Sequence, residues 1–170
     1  MTEQEAKLKV INIAISNIGY KETGNNITKF TTGTWDNSFY GWELNGQPWC
    51  DVFVDFCFCE AFGINTGAAM TYQRVGNGSA LCSKSAEYYK NNGAWSTTPQ
   101  QGAQAFFYYN GAINHTGIVE SVGTSTFTTI EGNTSDMVAR RTYNIGASSV
   151  AGFGIPKWSL VVNESNNSTV

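Results

Sequence analysis

Cys50 is the residue whose position in this chain most favours covalent chemistry. It directly follows Pro48 and Trp49, and an apolar run of helical length continues from it to Phe62. Because proline cannot extend a helix backwards, we expect a helix to begin at or just after Trp49 and to end at Gly63. The first turn of a helix has unpaired N–H groups and the positive end of the macrodipole, which favour a thiolate. The sequence therefore predicts a buried central helix with a nucleophilic cysteine at its exposed tip.

His115 is the only histidine in the chain, so any cysteine–histidine catalysis must use it. A histidine near Cys50 would accept the thiol proton and leave a nucleophilic thiolate beside an imidazolium. The imidazole then needs an acceptor on its second nitrogen. Glu131 and Asn133 follow at alternate positions at the end of the next predicted strand. If that strand continues to Asn133, both side chains point to the same side, and either could orient His115.

The other three cysteines are expected to be structural. Cys57 and Cys59 lie about 200° apart around a helix of ~3.6 residues per turn, so they can neither pair nor share one metal ion. We interpret both as small buried hydrophobic residues, and Cys82 as a core residue of the next helix. The spacing indicates neither a disulfide framework nor a zinc site.

Helical patterns dominate the first half of the chain. A capping box at Thr2 and Glu5 begins a helix that Gly19 ends. The residues that mark its predicted apolar face are Leu8, Ile11, Ile15 and Ile18. Residues 21–46 form an irregular, aromatic-rich segment, which could line a binding groove or cover the core. Residues 65–76 are interpreted as a linker, and residues 79–91 as a further helix.

The second half of the chain has the pattern of strands. Short β-type runs at residues 103–109, 115–122, 126–131 and 137–144 are separated by Gly and Asn turns, and residues 150–155 add another. Asn110 and Gly111 form a strong hairpin signal. Helices followed by an antiparallel sheet predict an α+β fold. We expect one catalytic domain over residues 1–160 and a flexible tail or linker over residues 161–170.

Composition excludes several classes of protein. The 170 residues are 41% hydrophobic and 14% aromatic, which is typical of a globular domain. The net charge of −3 gives no reason to expect nucleic acid as a partner. No apolar run reaches transmembrane length, and the first residues lack a signal-peptide pattern. A route other than a signal peptide is therefore expected if the protein acts outside the cytoplasm.

In combination, these motifs resemble those of the CHAP domains, the cysteine, histidine-dependent amidohydrolases/peptidases related to papain. The segments that carry the resemblance are residues 18–22, 48–54, 102–107, 114–119 and 130–133. The resemblance implies a papain-like fold, with N-terminal helices packed on a C-terminal antiparallel sheet. It also implies Cys50 as nucleophile, His115 as base, Glu131 as orienting residue and Asn133 as an auxiliary polar group.

Such domains typically cleave peptidoglycan in phage endolysins and bacterial autolysins, without a cofactor. The resemblance therefore implies bacteriolytic hydrolysis of a cell-wall amide by an N-acetylmuramoyl-L-alanine amidase, with an endopeptidase as the alternative. Residues with the type and location to contact substrate are Trp35, Tyr40, Trp42, Gln47, Trp49 and Tyr72.

Two family features differ in this chain. Many members carry glutamine immediately before the cysteine, where this chain has Trp49, and the nearest glutamine is Gln47. Which group assists the Cys50 amide as oxyanion donor is therefore open. Some members hold calcium with acidic residues just before the cysteine. Residues 45–48 supply no carboxylate, so we predict no metal.

Four functional alternatives remain from the sequence. A sibling fold that cuts after γ-D-glutamyl residues shares the cysteine–histidine layout, and a toxin or effector amidase would differ only in delivery. A non-catalytic module that binds wall peptide is the alternative outside enzymes. The polar tail favours the catalytic half of a phage lysin, released at lysis as a monomer and followed by a wall-binding module beyond residue 170.

Overall fold

The computed structural model describes residues 1–31 and 34–163. Its helices are α1 (Glu3–Ser16), α2 (Thr34–Tyr40), α3 (Cys50–Phe62), α4 (Ile64–Met70) and α5 (Cys82–Asn91). Its strands are β1 (Trp95–Ser96), β2 (Gln104–Tyr109), β3 (Ala112–Val122), β4 (Thr126–Glu131), β5 (Ala139–Asn144) and β6 (Val150–Gly154), followed by a 3₁₀ helix, Trp158–Leu160. The helices precede the strands, and the predicted α+β class is confirmed.

The strands form an antiparallel sheet with the order β1-β6-β2-β3-β4-β5. The centre of the sheet is the β2–β3 hairpin, whose turn contains Asn110 and Gly111. Both residues have positive φ, 53° and 78°, as a tight hairpin turn requires. The predicted hairpin is therefore present, and it places β3 between β2 and β4.

Helix α3 is the central helix, and it begins and ends where the sequence predicts. Most of its side chains are buried, because α1, α4, α5 and β3 all pack against it. Gly63 ends the helix with φ 82°, a conformation that glycine adopts without strain. The predicted papain-like arrangement, with the candidate nucleophile at the start of the central helix, is confirmed.

Helix α1 buries only part of the predicted face: Ile11 is buried and Ile18 packs against the core cluster. Its capping box at Thr2 and Glu5 is present. The residues that it buries are Ala6, Val10, Ile11 and Ala14. Leu8 and Ile15 are instead 40% and 36% exposed. Two of the four buried residues are alanines, so large apolar side chains alone did not mark the buried face.

Two short helices lie where the sequence predicted irregular chain. Helix α2 falls within residues 21–46, and all but the first residue of α4 falls within the interpreted linker. A Cβ atom at Gly67 of α4 would lie 2.7 Å from the backbone of Cys59, so glycine is needed for α4 to pack against α3. Helix α5 begins at Cys82, three residues later than predicted.

The packed chain continues slightly beyond the predicted end of the domain. Val161 and Val162 contact the main core cluster, although the tail was predicted to begin at residue 161. The rest of the predicted tail, residues 164–170, lies outside the described residues. In the described part of the chain, no helix has the length and apolarity needed to cross a membrane.

Asp51 and Asp55 are buried one helical turn apart on α3, and each is held by partners from other elements. Asp51 accepts hydrogen bonds from Ser85 of α5 (2.6 Å) and Gln104 of β2 (2.8 Å). Asp55 accepts from Tyr40 of α2 (2.7 Å) and from Gln73 (2.8 Å). The first carboxyl group therefore ties α3 to α5 and the sheet, and the second ties it to α2 and to the chain that follows α4.

Gln73, one of the two partners of Asp55, also holds one wall of the cleft described below. The carbonyl oxygen of the Gln73 side chain accepts a hydrogen bond of 2.7 Å from the backbone N–H of Ser79. Burial raises the pKa of Asp55 well above its usual range. Because a buried polar group costs free energy when it lacks a partner, Asp55, Tyr40 and Gln73 stabilise the fold only as a set.

We predict that Asp55→Ala lowers the free energy of unfolding by about 2–4 kcal/mol, because it leaves the buried Tyr40 hydroxyl without an acceptor and Gln73 with only its longer hydrogen bond to Thr71 (3.3 Å). Urea denaturation followed by circular dichroism measures the change. Glu60→Ala, on an exposed position of the same helix, is the control. Equal stability of the two variants would contradict the structural role of Asp55.

Candidate active site

Cys50 is the first residue of α3, at the bottom of a cleft. Trp49, the N-cap residue, makes no side-chain cap hydrogen bond, so no side chain of the cap competes for the first N–H groups of the helix. The Cys50 side chain is only 6% exposed. The sequence therefore placed the cysteine correctly on the helix, but the prediction of an exposed tip was wrong. Neighbouring elements leave it accessible only through the cleft.

His115 lies on β3 and forms a hydrogen bond with Glu131 at the end of β4. His115 Nε2 and Glu131 Oε2 are 2.7 Å apart. The other oxygen of Glu131 accepts hydrogen bonds from Thr129 (2.6 Å) and Tyr143 (2.8 Å). The carboxylate is thus held from three sides, with one oxygen free to face the histidine.

Gly117 provides the space for this arrangement. A Cβ atom at Gly117 would lie 2.5 Å from Cγ of Glu131 and 2.9 Å from the carbonyl oxygen of Ile130. Any larger residue would displace the Glu131 side chain. A glycine two residues after the histidine is therefore part of the way the sequence positions the carboxylate.

Cys50 and His115 interact directly through their side chains. Because Nε2 of His115 faces Glu131, Nδ1 is the ring nitrogen left for the thiol. Burial alone would lower the pKa of His115, but the hydrogen bonds to Cys50 and Glu131 and the negative charges of both outweigh burial and raise the pKa to about 9. The imidazole is therefore held in its charged form at neutral pH.

Cys82 is the second side chain that contacts Cys50. It is the first residue of α5, and its sulfur lies 3.5 Å from the sulfur of Cys50. The hydrogen bond from Cys82 is the largest cause that lowers the pKa of Cys50. Burial opposes it, and the hydrogen bond and charge of His115 add to it, so the pKa falls to about 5. Cys50 is therefore a thiolate at neutral pH.

The cleft above Cys50 has a volume of about 600 Å³. The segment before α3 forms one wall of the cleft, and the segment before α5 forms a second. The end of the β2–β3 hairpin that contains its turn forms the third. The residues that line it are Trp42, Leu44, Gln47, Pro48, Cys50, Gly78, Ser79, Ala80, Leu81, Cys82, Tyr109, Asn110 and Asn114. Three large apolar side chains at its rim are exposed to solvent: Trp42 (54%), Leu81 (59%) and Tyr109 (67%).

Of the residues predicted to contact substrate, Trp42 and Gln47 line the cleft. The prediction was wrong for Trp49 and Tyr40. Trp49 is fully buried and donates its indole N–H to Glu22 (2.8 Å). Tyr40 is 4% exposed and donates to Asp55. Both aromatic rings cover the core, the commoner use of such residues.

Trp35 and Tyr72 do not line the cleft either. Trp35 packs against Tyr40 and Phe56. Tyr72 packs against Tyr89, in the small cluster behind Cys50 and Cys82. A substrate contact by either residue would require a surface other than this cleft.

Asn133 follows β4 but does not continue it. The strand ends at Glu131, and Asn133 has a left-handed backbone with φ 55°, so the alternation that would place both side chains on one side is lost. Its side-chain amide donates to Asn26, at 3.4 Å. A contribution of Asn133 at His115 stays a prediction.

The sequence predicted Cys82 only as a core residue, although it lines the cleft beside Cys50, and did not single out Thr129 or Tyr143. Thr129 lies two residues before Glu131 on the same strand, and alternate residues of a strand share one face. This spacing could have predicted that Thr129 lies beside Glu131. Tyr143 and Cys82 come from other elements, and no local pattern indicates them. Among residues 1–31 and 34–163, no group of three or more His, Cys, Asp or Glu side chains is arranged to hold a metal ion.

Solved structures with a similar fold exist. The crystal structure of Ly7917 superposes with a TM-score of 0.53 at 17% identity, and the crystal structure of Ly7917 with the hydrolyzing product of MDP superposes with a TM-score of 0.55 at 15% identity. Each match covers 88% of this chain and 62% of the solved chain. At these identities the likeness concerns the fold. No curated protein sequence matches the chain.

The family model of the CHAP domain matches residues 42–133, which is more than half of the chain. The matched segment begins at the cleft wall that precedes α3. It includes Cys50 and His115, and it ends just after Glu131. The resemblance expected from the motifs is confirmed: this chain belongs to the CHAP domain family.

Proposed function

We propose that this protein is a cysteine-dependent peptidoglycan hydrolase that cleaves an amide bond of the bacterial cell wall. The observation that carries the proposal is the chain of contacts from Cys50, which lines the cleft, to His115 and on to Glu131. This arrangement is that of a thiolate nucleophile, a general acid–base and an orienting carboxylate. Membership of the CHAP family supports peptidoglycan as the substrate class.

The reaction proceeds through a thioester. The Cys50 thiolate attacks the amide carbonyl, and the backbone N–H groups at the start of α3 stabilise the developing oxyanion. The His115 imidazolium donates its Nδ1 proton to the departing amine. Neutral His115 then accepts a proton from water, which hydrolyses the thioester. Glu131 keeps the ring in one orientation and stabilises its charged form.

We infer that the bond cleaved joins N-acetylmuramic acid to L-alanine. The rim of the cleft supports this choice, because Trp42 and Tyr109 present flat apolar rings to solvent near Cys50. Such rings can stack on the apolar face of a sugar, while the polar groups of Gln47 and Asn114 in the cleft can bind peptide. An endopeptidase that cuts the stem peptide or cross-bridge is the alternative within the same chemistry.

We propose that the protein is part of a phage lysin, which acts on the bacterial wall as a monomer and without a cofactor. Release from the cytoplasm at lysis would deliver it there. The chain spans 62% of the length of the solved chains that it matches. In this setting the catalytic domain would work beside a wall-binding module. A related fold crystallised with a hydrolyzing product supports hydrolysis as the reaction type.

A non-catalytic wall-peptide binding module is the second candidate. It would use the same cleft and exposed aromatic rim. The lowered pKa of Cys50 disfavours it, because a binding module has no use for a thiolate.

We predict that Cys50→Ala reduces hydrolysis of purified Gram-positive peptidoglycan by about 10³-fold or more, because the thioester cannot form. Turbidity follows the reaction, and analysis of released ends identifies the bond. New L-alanine amino termini without new reducing sugars indicate the amidase, and other amino termini indicate the endopeptidase.

Cys59→Ala is the matched control, since Cys59 lies on the same helix and does not line the cleft. It should clear the wall at nearly the wild-type rate. Binding of wall by both the wild type and Cys50→Ala, with clearing by neither, would contradict hydrolysis and favour the binding module.

We also predict that iodoacetamide modifies Cys50 with a rate that is half-maximal near pH 5. The thiolate is the reactive form, and the pKa of Cys50 is lowered to about 5, against about 8.5 for a free cysteine. His115 keeps its proton up to about pH 9, so the reactive pair exists between these two values. Mass spectrometry of the Cys50 peptide measures the rate at each pH.

Glu131→Gln should lower the upper limit of this pH range, because the imidazolium loses the carboxylate that raises its pKa. Glu120→Gln, the same substitution on β3 at a surface ion pair with Arg140, should leave both limits unchanged. A wild-type midpoint near that of a free cysteine would contradict the ion pair.

A further inference from the structure

Cys50 and Cys82 form a pair of thiols that no sequence pattern indicated. Their sulfurs are 3.5 Å apart, although 32 residues separate them in the chain. Both are free, and both line the cleft. A reagent small enough to reach Cys50 therefore also reaches the immediate surroundings of Cys82.

The pairing is specific to these two cysteines. Cys57 and Cys59 lie further along α3, where Cys57 is fully buried and Cys59 is 9% exposed. The sulfur of Cys59 approaches the carbonyl oxygen of Ile64, at 3.9 Å. Burial raises the pKa of both thiols, so neither is a ready nucleophile. The chain thus contains one reactive thiol beside one potential partner thiol.

The sulfurs can reach bonding distance through a small movement. A disulfide has an S–S length of about 2.05 Å, so the two atoms must approach by roughly 1.5 Å. Cys82 is the first residue of α5, and Leu81 before it makes no side-chain cap hydrogen bond. The anchor of α5 on α3 is the Ser85–Asp51 hydrogen bond, one turn further along the helix. Cys82, which must move, lies three residues before Ser85 and therefore outside this anchored part of the helix.

We propose that Cys50 and Cys82 are a reversible redox site, in which a disulfide between them switches off the enzyme and protects its nucleophile from irreversible oxidation. The proposal rests on the proposed function, since it takes Cys50 as the nucleophile. A peroxide, or a small-molecule disulfide by exchange, is the class of oxidant that the cleft would admit.

With a peroxide, the chemistry takes two steps. The Cys50 thiolate attacks one peroxide oxygen, the O–O bond breaks, and the hydroxide that leaves takes the proton held by His115 to become water, so that Cys50 is left as a sulfenic acid. The Cys82 sulfur then attacks the Cys50 sulfur, the S–O bond breaks, and the hydroxide that leaves takes the Cys82 proton to become water. Two thiols and one hydrogen peroxide thus give one disulfide and two waters, with two electrons passing from sulfur to oxygen. A dithiol reductant reverses the result.

The position of Cys82 gives it a role in the outcome of oxidation. An isolated sulfenic acid is open to further, irreversible oxidation to the sulfinic and sulfonic acids. A thiol already in contact captures the sulfenic acid before a second peroxide arrives. The same contact lowers the pKa of Cys50 and so increases the thiolate that reacts in the first step.

The test treats the wild type, Cys82→Ser and Cys59→Ser with hydrogen peroxide and then with dithiothreitol. The wild type and Cys59→Ser should lose about 2 Da on oxidation, with a Cys50–Cys82 cross-linked peptide in a non-reducing map. Each should regain at least about 80% of its untreated wall hydrolysis on reduction. Cys82→Ser should instead gain oxygen on Cys50, and reduction should restore less than about 20% of its own untreated rate.

Cys82→Ala provides a second variant if serine disturbs α5. Oxidised wild type with sulfinic or sulfonic acid on Cys50 and no cross-linked peptide would overturn the proposal, whatever the variants do. The mass and peptide measurements do not depend on activity. Absence of wall hydrolysis in every untreated protein would therefore count against the proposed function, while the disulfide itself would still be tested.

Discussion

The burial of α3 on nearly all sides is the constraint on which the rest of this structure depends. A helix enclosed by other elements cannot leave polar groups without partners, yet this one carries Asp51 and Asp55 inside the core. Each carboxyl group is held by two side chains from other parts of the chain. These hydrogen bonds fix how α2, α5 and β2 stand around the start of α3, and the cleft lies where these elements meet.

The electrostatics of the site follow from the same enclosure. A thiolate in a buried position is unfavourable unless positive charge or hydrogen-bond donors compensate for the lost water. Cys50 obtains both, from the positive end of α3, from Cys82 and from His115. His115 in turn is held by Glu131, and Glu131 by Thr129 and Tyr143. Cys50 and His115 stabilise each other's charged forms, and Glu131 also stabilises that of His115, so the reactive pair is prepared before substrate arrives.

Local patterns in the sequence sufficed for the features that depend on local chemistry. Pro48 and Gly63 set the bounds of α3, and the turn at Asn110 and Gly111 set the central hairpin. The motifs at residues 114–119 and 130–133 placed His115 and Glu131 on successive strands. Helices α2 and α4 were missed because each is only seven residues long, too short to show a helical period.

Other features could not be predicted from local sequence patterns, because they arise from the packing of distant parts of the chain. Trp49 and Tyr40 were predicted to contact substrate, but each points into the core, where Glu22 and Asp55 satisfy its polar atom. The contact between Cys50 and Cys82 depends on how α5 is seated against α3, which no spacing along the chain encodes. Leu8 and Ile15 fit a helical stripe, yet Ala6, Val10 and Ala14 are the residues that α1 buries beside Ile11.

The central claim is that Cys50 and His115 form a thiolate–imidazolium pair, and a nuclear magnetic resonance titration tests it most directly. Because His115 is the only histidine, ¹⁵N-labelled histidine gives a single imidazole whose protonation can be followed without assignment. The structure predicts that the imidazole stays protonated up to about pH 9 in the wild type, and that Cys50→Ala lowers this pKa. A wild-type titration near the ordinary value of about 6.5, unchanged in Cys50→Ala, would contradict the pair.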